Sequence, residues 1–242
     1  MSDSLVIIPT YNERANITRM IETVMGLAQP FDILVVDDGS PDGTADLVRA
    51  QQAVYPQRVH LLERSGKLGL GTAYIAGFEW GLEHGYDYIC EMDADFSHNP
   101  ADLIRLRGAC ADEGADVAVG SRYVRGGKVV NWPWDRICLS YGASVYVRMI
   151  TWMPVKDPTA GFVCYRREVL QAINFRKIRF IGYAFQIEMK FASRQLGFSI
   201  KEVPITFVDR VEGVSKMSSN IIKEAVVGVL RMRWKGFFES YQ

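Results

Sequence analysis

Tyr86-Asp-Tyr-Ile-Cys-Glu-Met92 reads as a buried strand that runs without a break into two acids, Asp93 and Asp95. Two earlier apolar runs end the same way. Leu5 to Ile8 leads to Glu13, and Ile33 to Val36 leads to Asp37 and Asp38. In an open α/β sheet the carboxyl ends of the strands are where ligands bind. Three such ends would gather five acids on one rim, which is unfavourable unless cations or hydrogen-bond donors answer them. Asp93 and Asp95, at a strand end where the chain turns, suit a hard divalent cation, Mg²⁺ or Mn²⁺, that leaves positions open for substrate phosphates. A nucleotide, with its ribose hydroxyls and base amines, suits the remaining acids. Asp-x-Asp is a short pattern, and a solvated turn is the competing reading.

The spacing between these runs predicts the helices. Ile17, Met20, Ile21, Val24 and Leu27 recur at helical intervals behind Asn16, a candidate cap. Thr44 to Val54 and Leu70 to His84 are the next two helices, with a strand at Val59 to Leu62 between them. Pro100 opens a helix to Asp112, and Val117-Ala-Val119 leads to Gly120-Ser-Arg122-Tyr. Strand–helix alternation of this kind gives an α/β fold, a twisted and mostly parallel sheet with helices on both faces.

Composition narrows the function. The chain has 242 residues, with 28 basic and 28 acidic side chains, so nothing marks a nucleic-acid binder. Cys90, Cys110, Cys138 and Cys164 are far apart without metal spacing, as buried thiols of a reduced compartment would be. Met1-Ser-Asp-Ser leads directly into the first strand, with no secretory leader. No charge-free run reaches the roughly 18 residues of a membrane span. The usual phosphate cradles are also missing. Gly69-Leu-Gly71-Thr-Ala-Tyr74 has Tyr where a dinucleotide motif needs its third glycine, so it reads as a tight turn into a helix.

The second half is organised differently. Lys128 to Trp134 reads as a loop, Arg136 to Met153 as an aromatic helix, Phe162 to Tyr165 as a strand and Gly182 to Leu196 as a helix. Ile200 to Phe207 reads as a strand, Asp209 to Lys216 as a polar loop and Ile221 to Phe238 as a last helix. On that last helix Glu224, Gly228, Arg231 and Lys235 form a narrow polar stripe within an apolar surface. The pattern fits an interfacial helix on anionic lipid, or a helix that packs on the sheet. The aromatic helix reads as core, although Arg136 and Arg148 frame it.

Seven motifs together carry a resemblance. They are Pro9-Thr-Tyr-Asn-Glu13, Val36-Asp-Asp-Gly-Ser-Pro-Asp-Gly43, Lys67-Leu-Gly-Leu-Gly-Thr-Ala-Tyr74, Asp93-Ala-Asp95, Gly120-Ser-Arg-Tyr123, Gly182-Tyr-Ala-Phe-Gln186 and Val208-Asp-Arg-Val-Glu-Gly-Val-Ser-Lys216. In this order and spacing the chain resembles the dolichyl-phosphate (polyprenyl-phosphate) mannosyltransferases of glycosyltransferase family 2. The resemblance implies a GT-A fold in a single domain. Residues 1–123 would form the nucleotide-sugar half, 124–216 the acceptor side, and 217–242 a C-terminal helix open to either of the two roles above. It implies inverting transfer of mannose from GDP-mannose to a polyprenyl or dolichyl monophosphate.

The same resemblance assigns residues. Pro9, Tyr11, Glu13, Val36 and Asp38 would hold the guanosine end of the donor. Asp93, Ala94 and Asp95 would lie along its ribose and diphosphate. Asp95 would be the firmest metal ligand, with Asp93 and Ser97 beside it; the position of Ser97 is Gln in some relatives. Arg122, Arg210 and Lys216 would lie near the phosphates. Arg136 and Ser140 share a helix face and, with Arg122, would hold the acceptor phosphate. Catalysis would rest on Asp95, Arg122, Arg136 and Ser140. His98 invites a general-base role, but an acceptor that is already an anion needs no base. The implied setting is peripheral, on the cytoplasmic face of a membrane, with a small membrane subunit as a further partner in some relatives. Alternatives are a different nucleotide sugar such as UDP-glucose on the same lipid, a nucleotidyltransferase, or a non-catalytic nucleotide-sugar-binding protein.

Overall fold

In the computed structural model the described residues are 2–182, 184–209, 227–234, 236 and 240–242. The first half alternates as its sequence predicts: β1 (Ser4–Thr10), α1 (Ile17–Met25), β2 (Asp32–Asp37), α2 (Thr44–Val54), β3 (Val59–Glu63), α3 (Leu70–Glu83), β4 (Tyr88–Glu91), α4 (Asp102–Ala111) and β5 (Val117–Ser121). Beyond these come β6 (Lys128–Val130), α5 (Trp134–Thr151), β7 (Val163–Arg166), α6 (Arg167–Ala172), a 3₁₀ turn (Phe175–Lys177), α7 (Ala184–Gln195), β8 (Ile200–Pro204) and β9 (Thr206–Val208). Among the described residues the main sheet has the order β3-β2-β1-β4-β7-β5-β8. Its pairings are parallel except at β7, which runs antiparallel to both β4 and β5.

Alternation along β1 builds the core on both sheet faces. Leu5 and Ile7 pack with Tyr74, Phe78 and Phe185 under α3 and α7. Val6 and Ile8 pack with Ile17, Met20, Ile21, Val24, Leu103 and Leu106 under α1 and α4. Both sets are nearly fully buried, at about 1.5–3 kcal/mol per large aliphatic side chain. A two-sided apolar strand of this kind is the mark of a covered parallel sheet. Helix α3 comes close because its facing residues are small. A Cβ on Gly77 would lie 2.7 Å from Ile7 Cγ2, and one on Gly81 2.8 Å from Ile89 Cδ1.

Several expectations are corrected. Asn16 does not cap α1 with its side chain; its Nδ2 donates instead to Glu13 Oε2 at 3.2 Å. Lys128–Val130 is a short strand rather than loop, paired in parallel with β9. The run Ile200–Phe207 breaks at Ile205 between β8 in the main sheet and β9 in this small one. Helix α5 joins the core along one narrow face only, through Val147 with Tyr146 and Ile150. Its fully buried residues are Ser144, Val147 and Thr151, while Trp134, Leu139, Tyr141 and Met149 are exposed. In the C-terminal segment residues 227–234 are helical. Glu224 and Lys235 of the expected polar stripe lie outside the described residues. No described helix is long and apolar enough to cross a membrane.

Candidate active site

Sheet order brings the acid-bearing loops together. Thr10 at the end of β1 is the neighbour of Asp37 at the end of β2, and Ile7 in β1 is the neighbour of Glu91 at the end of β4. The loops after β2, β1 and β4 therefore leave from adjacent points on one edge.

The acids there have different tasks. Asp37 is a clasp: it accepts from Thr10 Oγ1 at 2.7 Å, Ser40 N at 2.8 Å and Ser40 Oγ at 2.7 Å. Glu13 is held where Asn16 donates to it, and its own N–H donates to Thr44 Oγ1 at 3.1 Å, which ties the loop after β1 to the start of α2. Tyr11 lies beside the Lys67 ammonium, 5.1 Å from its ring centroid. Asp38 is buried. It faces Arg64 Nε at 3.4 Å, yet its Oδ1 and Arg64 Nη1 are buried without hydrogen-bond partners. Burial raises the Asp38 pKa against the pull of Arg64. A buried acceptor beside a buried donor matches the paired edge of a nucleobase. Arg64 is aimed there by Thr72 Oγ1, to which its Nη2 donates at 2.6 Å. Gly69 before α3 has φ +105°, so the Gly-Leu-Gly segment is the tight turn its sequence implies. Pro9 pairs with Val36 across β1 and β2. Val36 is buried in the core and flanked by Leu62 of β3 on its other side, so its side chain is covered.

After β4 the chain turns over at Phe96, φ +58°, with the Arg19 guanidinium 4.9 Å from its ring centroid. Ser97 N donates to Asp95 Oδ1 at 3.0 Å and Ser97 O accepts from Val208 N at 3.1 Å. Ser97 thus orients Asp95 through its main chain and anchors β9 to the acidic loop. Ala94 is buried between the two acids. No cluster of three or more acidic, His or Cys side chains of metal-binding form occurs among the described residues. Two carboxylates on one short turn fit Mg²⁺ or Mn²⁺, which completes its shell with water and phosphate oxygens.

His98 is not placed as a base. Its ring is buried and stacks on Phe162, with centroids 4.8 Å apart, and meets Phe207 edge-on at 5.3 Å. Burial pushes its pKa down, so the imidazole is a neutral filler under the loop.

Three acceptor-side residues expected from the sequence do gather, and each has a partner. Arg122 donates through Nε and Nη2 to the two oxygens of Asp157 at 2.7 and 2.6 Å, and through Nη2 to Thr159 Oγ1 at 2.9 Å. Its fork is therefore turned into the protein rather than toward a phosphate. Arg136 Nη1 donates to both oxygens of Asp209, at 3.0 and 2.9 Å. Ser140 Oγ accepts from Tyr123 Oη at 2.7 Å. Trp132 binds the group together: its ring centroid is 4.0 Å from the Arg136 guanidinium and 5.7 Å from that of Arg122. Arg210 and Lys216 lie outside the described residues.

Residues that sequence reasoning passed over sit beneath this rim. Gln186 Nε2 donates to Glu91 Oε2 at 2.7 Å. Lys190 Nζ donates to Ala160 O at 2.6 Å, Gln186 O at 3.0 Å and Gln186 Oε1 at 3.3 Å. All three side chains are buried; burial raises the Glu91 pKa and lowers that of Lys190. A charged residue inside the apolar run of β4 was the available signal.

Residues 5–173 match the glycosyl transferase family 2 profile. The chain belongs to glycosyltransferase family 2. It is 50% identical over 233 residues to the polyprenol monophosphomannose synthase of Mycolicibacterium smegmatis, covering 96% of this chain and 88% of the relative. It is 49% identical over 236 residues to the undecaprenyl-phosphate mannosyltransferase of Micrococcus luteus, covering 96% of each. Among solved structures this family 2 glycosyltransferase is similar in fold to the mannosyl-3-phosphoglycerate synthase of Rubrobacter xylanophilus, with TM-score 0.70 and 17% identity over 99% of this chain and 76% of that one. It is similar also to the mannosyltransferase PcManGT of Pyrobaculum calidifontis in complex with GDP-Man and Mn²⁺. There the TM-score is 0.60 and the identity 19%, over 98% of this chain and 65% of that one. These likenesses establish the GT-A-like fold.

Proposed function

We propose that this glycosyltransferase moves mannose from GDP-mannose to a polyprenyl or dolichyl monophosphate, with inversion at the anomeric carbon. One observation carries the reading. The acid pair after β4 is hydrogen-bonded through Ser97 and Val208 to β9, whose next residue, Asp209, holds Arg136. A donor site and a cationic acceptor site therefore adjoin. The names of the curated relatives, and the GDP-Man and Mn²⁺ of PcManGT, support the choice of substrates.

In this reading Asp38 and Arg64 take the base, with Pro9, Tyr11, Glu13 and Val36 around the nucleoside. Asp93, Ala94 and Asp95 line the ribose and diphosphate, and Ser97 orients Asp95. A divalent cation bound there would neutralise charge on the departing diphosphate. The acceptor is a phosphate monoester, largely dianionic at neutral pH, so it needs placing rather than deprotonation. Arg136 donates to it in the place Asp209 now occupies, and Ser140 adds a hydroxyl one turn on. Arg122 stands behind them, with Arg210 and Lys216 assigned to the phosphates. The attacking oxygen and leaving group are then held in line.

The lipid acceptor also implies a membrane surface, on the cytoplasmic face, reached with or without a small membrane subunit. Trp134, Met149, Trp152 and Trp234 are at least 70% exposed, and the Arg233 guanidinium lies 4.5 Å from the Trp152 ring centroid. Exposed aromatics beside a cation fit peripheral contact with a bilayer. The test is purified protein with polyprenyl phosphate, Mg²⁺ or Mn²⁺ and a panel of labelled nucleotide sugars. GDP-mannose alone should label the lipid, with a β-linked product, and EDTA should stop it. Transfer from UDP-glucose, or no turnover, overturns the reading.

A further inference from the structure

Lys190 is an expensive residue where it stands. It is fully buried on α7, and removing an ammonium from water is costly unless its surroundings compensate. A methionine would fill similar space without that cost. The three donors of Nζ are all used, on Ala160 O, Gln186 O and Gln186 Oε1. The contacts to Gln186 and to Ala160 have consequences on two different sides of the site.

Toward the donor side, the ammonium fixes which way the Gln186 amide lies. With Oε1 turned to Lys190, Nε2 must face Glu91, and it donates to Oε2 at 2.7 Å. Glu91 ends β4, two residues before Asp93. Toward the acceptor side, Ala160 O belongs to the turn that begins at Asp157, whose N–H and that of Ala160 are both part of its closure: Asp157 N donates to Glu202 Oε1 at 3.0 Å, and Ala160 N donates to Asp157 O at 3.3 Å. Asp157 then takes Arg122 by its main-chain N at 3.0 Å as well as by its guanidinium. One buried cation thus ties the strand that carries the acid pair to the turn that carries the partner of Arg122.

We propose that Lys190 is a positioning residue that sets the acid pair of β4 and the Arg122–Asp157 pair at one fixed separation, acting through Gln186 and Ala160. The role rests on the transfer reaction proposed above, because the separation it sets is that between donor and acceptor groups. It touches neither substrate.

The experiment compares Lys190→Met and Lys190→Arg with wild type, using the nucleotide sugar and lipid phosphate that the wild type turns over. Lys190→Met leaves Ala160 O and Gln186 Oε1 without their donor, so its melting temperature should fall. At an assay temperature where it stays folded it should lose about 10–100-fold in kcat, the scale of an ångström's misplacement. Its KM for the nucleotide sugar should change little, and Lys190→Arg should recover a large part of kcat. A Lys190→Met enzyme with kcat within twofold of wild type overturns the proposal. So does a loss of kcat that matches the loss of folded protein at the assay temperature. A crystal structure of Lys190→Met reads the geometry without turnover. Displacement of Asp93 relative to Arg122 is expected, and an unchanged separation overturns the proposal even if the substrates prove to be others. A different donor or acceptor for the wild type would overturn the functional reading alone.

Discussion

The two sides of the site are held by different kinds of bond. On the donor side near neighbours close the acidic turns, Ser40 three residues from Asp37 and Ser97 two from Asp95, beside the longer ties of Asp37 to Thr10 and of Glu13 to Thr44. On the acceptor side the cations are tied from far along the chain, Arg122 by Asp157 at 35 residues and Arg136 by Asp209 at 73. Short-range clasps shape a loop as soon as it turns. Long-range pairs exist only once the sheet is complete, and a ligand can compete with an exposed one. The donor rim is thus shaped in good part by its own turns, and the acceptor rim by the fold as a whole.

The sharpest break of this comparison is at the donor rim. Asp95→Asn keeps shape and removes a charge. Transfer should fall by about 10³-fold or more, from the several kcal/mol that a bound cation contributes to such a transition state. A near-normal rate in steady-state assays refutes the assignment. Next is Arg136→Ala. A hydrogen bond to a charged group is worth about 1.5–3 kcal/mol, so kcat/KM for the lipid phosphate should fall roughly 10–100-fold. Binding of GDP-mannose by calorimetry should stay near wild type, because the donor rim does not depend on this pair. If donor binding falls equally, the two rims are not separable.

A smaller effect tests competition on the acceptor side. Asp209→Asn removes the carboxylate that occupies Arg136, and both side chains are about one-third exposed, at 32% and 27%. The pair should contribute no more than about 1 kcal/mol, so the lipid phosphate KM should drop, by up to about fivefold. A higher KM would mean that Asp209 helps to hold the acceptor. The smallest effect is at His98. His98→Phe should keep most activity, since the buried ring does no proton transfer. Its pKa is depressed by burial, whereas an exposed imidazole titrates near 6.5. In acid the unfolded chain gains a proton that the folded ring refuses, so stability falls as pH drops through and below that value. Melting curves from pH 7 to pH 5 should be flatter for His98→Phe than for wild type.

The same contrast explains what could be read from the chain. The strand ends, their acids and the order of elements to β5 are local, and they follow from apolar runs and turn residues. Arg122, Arg136 and Ser140 were legible as a group through resemblance. Asp157 and Asp209, which pair with the arginines, were not, because no short-range pattern links them. Lys190 was hidden for a related reason. Helix α7 is buried from Ala184 to Ser193, so it has no polar face against which a buried lysine would stand out. Helix α5 misled in the opposite sense: its aromatic residues read as core, and the fold leaves many of them exposed. Periodicity reports which residues share a face but not what covers it.

The reversed direction of β7 has one more consequence. A strand that enters at the edge where β5 leaves turns residues 122–162 into an excursion with both ends pinned to neighbouring strands of one sheet. Such a segment is modular. Its loops can be lengthened or shortened while β1, β2 and β4 keep their register, so under the proposed function recognition of a new acceptor need not disturb the grip on the nucleotide. Evolution could in this way change what receives the sugar without relearning how to hold its donor.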